Sequence, residues 1–152
     1  MKFKFIFFLI IMISGCSYEP IYSNKEYKFG FKNINFNGER EINELIERNL
    51  TKKSTGNKVF DLKFSTEKNR EIISSNAKGD PTIFKLNINL NYIVFKNDEE
   101  IINDEIKKQL TYNNIDDKFE LDKYEESIIK NISESLSDEI LISILFSIYP
   151  KS

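Results

Sequence analysis

Residues 84–94 constrain this chain more than any other stretch. Phe84, Leu86, Ile88, Leu90, Tyr92 and Val94 recur at every second position, with Lys85, Asn87, Asn89 and Asn91 between them. A strict period of two is the signature of a β-strand with one buried and one wet face. In a helix the same residues would scatter around the axis. Such a strand needs neighbours for its backbone groups and a second layer over its apolar side.

The neighbours are legible on both sides. Phe60, Leu62 and Phe64 alternate with Asp61, Lys63 and Ser65, with a ragged continuation to Ile72 and Ile73. Ile102, Ile106, Leu110 and Tyr112 suggest a further strand. Gly79-Asp80-Pro81 and Asn97-Asp98 supply turns, so the three strands read as an antiparallel meander. Residues 28–36, with Phe29, Phe31, Ile34 and Phe36, read as a first strand. Between it and the meander, Ile42, Leu45, Ile46 and Leu50 share one face of a helix. Asn37 is its expected cap, Glu39 and Glu41 and then Lys52 and Lys53 suit its dipole, and residues 54–57 read as a break. A long helix closes the chain. Asp122 and Glu125 read as its capping box, and Tyr124, Ile128, Ile129, Ile132, Leu136, Ile140, Ile144 and Ile148 form its stripe. The expected fold class is α+β. It is a two-layer sandwich, a mostly antiparallel four-stranded sheet with two helices on one face, in the order β-α-β-β-β-α, formed by one domain over residues 28–152.

The last helical turns carry more apolar surface than one sheet needs. From Ile140 to Tyr149 the apolar arc is about 240° at 100° per residue, against the roughly 100–140° that packing on a sheet uses. Either the first helix or the N-terminal tether covers the remainder, or this end docks into another protein through Ile142, Leu145, Phe146 and Tyr149.

Absences narrow the chemistry. The chain has no His and one Cys, which removes the usual general base near neutral pH, the commonest metal ligand, and any intramolecular disulfide. No Gly-x-Ser-x-Gly elbow or phosphate loop is present. The reading is a protein that is not an enzyme, with no catalytic residue, cofactor or metal. The formal net charge is −2, and nucleic-acid binding needs a basic footprint instead.

The N-terminus is an export signal. Lys2 and Lys4 precede an apolar run from Phe5 to Ile13, too short to span a bilayer. The ending Ile13-Ser14-Gly15-Cys16 resembles the lipobox of bacterial lipoproteins. That resemblance implies cleavage after residue 15 and acyl chains, such as palmitate, on Cys16. Residues 16–27 then form a lipidated tether. Each buried methylene contributes about 0.8 kcal/mol, so two or three chains hold a protein stably in a membrane. Ser17, by resemblance to enterobacterial lipoproteins, permits transfer to the outer membrane.

The run Cys16-Ser17-Tyr18-Glu19-Pro20-Ile21-Tyr22 resembles the start of mature proteins of the LPS-assembly lipoprotein family, LptE, in its alphaproteobacterial form. Ser17 and Ser23 stand where that family usually has glycines. The segment from Tyr112 through Leu136-Ser137-Asp138-Glu139-Ile140 to Tyr149 is similar to the family's closing strand and helix. The resemblance implies a lipoprotein anchored at the periplasmic face of the outer membrane. It implies assembly with an LptD-type β-barrel, which it plugs, and contact with lipopolysaccharide. Charge alone nominates Lys63 and Lys85 for that anionic ligand. The competing reading is an auxiliary lipoprotein of another envelope lipid-trafficking or barrel-assembly system.

Overall fold

The computed structural model describes residues 27–149. The signal peptide, Ile13, Ser14, Gly15, Cys16 and the tether through residue 26 lie outside the described residues. Strand β1 is Tyr27–Gly38, helix α1 Arg40–Lys53, and strand β2 Ser54–Ser75. They are followed by β3 (Pro81–Lys96), β4 (Glu99–Asn113) and helix α2 (Lys118–Ile148). The sheet runs β1-β2-β3-β4, with β1 parallel to β2 and the other neighbours antiparallel. The expected α+β sandwich and its element order are what the chain forms.

The period-two pattern of β3 sets the layers. Phe84, Leu86, Ile88, Leu90, Tyr92 and Val94 are all buried, together with Phe60, Leu62 and Phe64 of β2. Both helices bind this face. The Tyr92 hydroxyl lies 2.9 Å from Ser143 Oγ, and Tyr112 donates to Glu125 at 2.7 Å. Lys108 pairs with Glu139. Ile42, Ile46 and Leu50 of α1 and Leu136, Ile140, Leu141 and Ile144 of α2 are wholly buried. Each such aliphatic side chain contributes roughly 1.5–3 kcal/mol by leaving water. Ser137 Oγ bonds back to the Ser133 carbonyl at 2.7 Å and reaches the Ile46 carbonyl at 3.5 Å. A small residue therefore sits where α1 and α2 approach each other.

The crossover from β1 to α1 is fixed by a buried amide. Gly38 turns the chain at φ +95°, and a Cβ there would sit 2.0 Å from the Thr66 carbonyl oxygen. Asn43 is buried. It donates to the Asn37 carbonyl at 2.9 Å and accepts from Thr66 Oγ1 at 2.7 Å. One side chain thus ties α1 to both parallel strands and satisfies its own polar groups. At the second hairpin Asn97 and Asp98 take φ +52° and +67°, the left-handed pair that a tight two-residue turn requires.

Several boundaries differ from expectation. Glu39, without a side-chain cap bond, holds the N-cap of α1. Asn37 contributes its carbonyl instead. The expected break at 54–57 is absent. Ser54 both caps α1, its Oγ donating to the Leu50 carbonyl at 2.7 Å, and opens β2. Helix α2 begins one turn before the expected capping box. Asp117 accepts from the N–H groups of Phe119 and Glu120 at 2.9 and 3.2 Å, and the added turn buries Leu121. Asp122 and Glu125 lie inside the helix. Tyr27, assigned to the tether, is the first residue of β1.

Candidate functional site

Among the described residues, no helix is long and apolar enough to cross a membrane, and no group of three or more His, Cys, Asp or Glu side chains could hold a metal ion. The candidate sites are surfaces.

The end of α2 is the first. Ile140, Leu141 and Ile144 are wholly buried and Ile142 is half-buried, whereas Leu145, Phe146 and Tyr149 are 36%, 56% and 60% exposed. The wide arc is covered only in part. The domain takes up Leu141, and an apolar edge at positions i, i+1 and i+4 stays in water. The Lys58 ammonium lies 5.6 Å from the centre of the Tyr149 ring. Lys58 stands opposite Phe29 in the β1–β2 register. The exposed edge and the start of β1, where the tether joins, therefore share one end of the domain.

The nominated lysines are placed on one open sheet face and kept apart. Lys63 stands opposite Ile93, with its ammonium 5.0 Å from the Phe95 ring centre. Lys85 stands between Glu71 and Thr111. Glu71 is farther along β2 than Lys63 by about 27 Å at roughly 3.4 Å per residue. Lys58, Lys68 and Arg70 fall on the helix face, and Lys78 lies in the turn. Arg70 pairs with Glu125 at 2.7 Å, and Lys68 lies 3.9 Å from Glu39. Parity shows this in the sequence. Lys58, Lys68 and Arg70 share the even phase of Phe60, Leu62 and Phe64, and Lys63 and Lys85 have the odd one.

Beneath α2, Glu125 accepts from both Tyr112 and Arg70, and the Arg70 guanidinium lies 4.6 Å from the centre of the Phe84 ring. Burial, aided by the bond to Glu125, pushes the Tyr112 hydroxyl up to about 12. Burial also raises Tyr92 and Tyr27. Burial opposes the charge on Lys53, but its bonds to Asp138 and Glu134 outweigh that and raise it. These groups bind protons more tightly folded than unfolded. Stability from them is complete below the unfolded values and is lost as pH rises through the folded ones. Tyr112 is expected to account for a loss on the order of 2 kcal/mol between pH 10 and 12. Urea midpoints across that range measure the loss, and Tyr112→Phe should flatten the decline. An unchanged slope in that variant would refute the assignment.

Ile72 and Ile73 complete the surface. Both are more than half exposed, and the ragged continuation expected there is the far part of β2, which ends at Ser75.

No protein-family model matches the chain, and no curated protein matches it either. Solved structures do. Rare lipoprotein B of Shewanella oneidensis superposes with a TM-score of 0.56 at 16% identity, covering 74% of this chain and 93% of that one. The fold is shared with bacterial lipoproteins. A lipoprotein B of Nitrosomonas europaea gives 0.56 at 15% identity, with 76% and 84% covered. A minor lipoprotein of Acinetobacter baumannii gives 0.54 at 10%, with 78% and 94% covered. At such identities the likeness is one of architecture. In this lipoprotein fold the exposed edge of α2 and the far end of the β2–β3 hairpin stand at opposite ends.

Proposed function

We propose that the chain is an outer-membrane lipoprotein of the LptE type. It assembles with and plugs an LptD-type β-barrel that delivers lipopolysaccharide to the cell surface. One conjunction carries this reading. The lipidation motif Ile13-Ser14-Gly15-Cys16 and the LptE-like run Tyr18-x-Pro20-Ile21-Tyr22 precede a domain with the fold of rare lipoprotein B. The apolar edge at Leu145, Phe146 and Tyr149 gives such a protein a partner surface beside its anchor. Lys63 and Lys85 remain the proposed lipopolysaccharide contacts, acting as two separate points.

The test is affinity isolation of tagged, lipidated protein from detergent-solubilised outer membrane, read by mass spectrometry. A large β-barrel in stoichiometric amount is expected. An ABC permease or a set of barrel-insertion proteins would move the assignment to an auxiliary lipoprotein. Free monomer from the inner membrane would overturn both the partner and the location. Deleting residues 140–152 is a poor probe, because Ile140, Leu141 and Ile144 are core. Replacing Leu145, Phe146 and Tyr149 together by serine spares the core. It is expected to cut barrel recovery at least about tenfold, since truncating anchors of this kind costs 2 kcal/mol or more each. Undiminished recovery would remove this edge from the interface.

A further inference from the structure

Strand β2 outruns its neighbour. β1 pairs with it from Ser54 to Thr66, and Gly38 ends the pairing by turning into α1. β2 continues to Ser75 with β3 as its ladder partner. In an antiparallel ladder, alternate residues send both backbone groups to the same side. Thr66 sends its carbonyl toward β1, where it accepts the Glu39 N–H at 3.3 Å. The same phase sends the N–H and C=O of Lys68, Arg70 and Ile72 to that side, where no described strand lies. Ile72 and Ile73 stand on opposite faces at the far end of this open edge, 59% and 53% exposed.

We infer that residues 67–73 of β2 accept an added strand from another polypeptide. Its side chains are opposite in charge to Lys68 and Arg70 on one face and to Glu67 and Glu71 on the other, and it is apolar beside Ile72 and Ile73. Strand addition to a free edge takes its affinity from backbone bonds and its choice of partner from alternate side chains.

Two other occupants are disfavoured. The tether joins at Tyr27, opposite Ser54. Residues 16–26 reach at most about 40 Å when fully extended, whereas Ser54 to Glu67 spans roughly 43 Å of strand. The tether would be used up before it could pair. A second copy meets its own charges. Antiparallel pairing about Asn69 sets Lys68 against Arg70 and Glu67 against Glu71, and pairing about Arg70 sets two guanidinium groups together. Like charges directly opposite destabilise a sheet. The same charges that block self-pairing admit a complementary strand. The outer edge of β4 is a poorer acceptor, its first part crowded by Glu99, Glu100, Asp104 and Glu105, charges that discourage strand addition.

The experiment compares full-length lipidated protein in the envelope membranes that contain it with the purified monomer in detergent. Amide hydrogen exchange at Lys68, Arg70 and Ile72 is expected to slow at least tenfold in the membranes. Asn69 and Glu71, which face β3, should change little. Photo-crosslinking residues at Glu67, Asn69 and Ile73 should reach alternate positions of one extended segment of a different protein. Ile72→Pro removes an open-side donor and no bond to β3, and is expected to abolish both signals, while Ile72→Thr retains them. Glu67→Lys, an exposed change that spares the fold, should weaken crosslinking at least fivefold. Equal exchange in the two states would overturn the inference. So would crosslinks to a second copy or to lipid alone, or wild-type crosslinking by both Ile72→Pro and Glu67→Lys. The barrel assignment stands apart. A partner of another kind at this edge leaves the inference intact, and a recovered barrel with no protection here overturns the inference alone.

Discussion

Gly56→Ala is expected to destabilise the domain by about 3 kcal/mol or more and to loosen β1 from the sheet. A Cβ at this position would lie 1.9 Å from the carbonyl carbon of Lys28, 2.1 Å from its oxygen and 2.3 Å from the nitrogen of Phe29. All three atoms are backbone, so no side chain can swing aside. The strain falls where the β1–β2 register already shifts, between Tyr27 opposite Ser54 and Phe29 opposite Lys58. Relief requires β1 to retreat, which would open the contacts among Phe29, Phe60 and Tyr27. Gly79→Ala is the control. Nothing lies within 4 Å of its Cβ, and φ +90° alone is unfavourable, so the cost should be near 1–2 kcal/mol. Urea unfolding of the two variants, with hydrogen exchange along β1, measures both effects. Equal, small losses would mean that β1 is not held at this register.

The second large effect concerns Cys16. Cys16→Ala is expected to reduce incorporation of labelled palmitate to background and to lower the outer-membrane population by at least about tenfold. The physical reason is the anchor itself. One acyl chain gives only marginal, reversible membrane binding, and two or three give stable attachment. Among the described residues no helix offers a substitute. Fractionation with palmitate labelling decides the matter. Label persisting in the variant would place the acyl chains elsewhere and end the lipobox assignment.

The sequence revealed most where burial is one-sided. The alternation of β3 predicted every buried position from Phe84 to Val94, because a strand between two neighbours under a helical layer has few other ways to satisfy its side chains. The stripe of α1 was legible for the same reason, with Ile42, Ile46 and Leu50 wholly buried. The far half of β2 was legible only as a ragged continuation to Ile72 and Ile73. Residues 67–75 are held by backbone bonds to β3 and not by burial, so hydropathy leaves little trace there. The start of α2 was misplaced because two acidic signals, Asp117 and Asp122, lie one turn apart, and only the burial of Leu121 chooses between them. The parallel sense of β1 is tertiary in origin. It follows from α1 crossing back over the sheet, with Asn43 joining Asn37 to Thr66. The nominated cations divided by face through parity, but the distance between Lys63 and Lys85 depends on the register of the hairpin.

The position of Tyr149 beside Lys58 has a mechanical meaning. If a lipid anchor pulls on the chain through Tyr27 and a partner pulls on Phe146, both loads enter at the foot of the domain. The sheet then rises from that foot over about 70 Å, the length of the 22 residues of β2 at roughly 3.3 Å each. A sideways load at its tip would act as a bending moment on the sheet, greatest near the foot. α1 and the β1 crossover brace that end, and α2 runs from it to Lys118, next to the β4 end that Asn114 ties to Pro81 and Thr82. The outer part is a ribbon of two and three strands stiffened on one face by α2, which Arg70 and Tyr112 hold through Glu125.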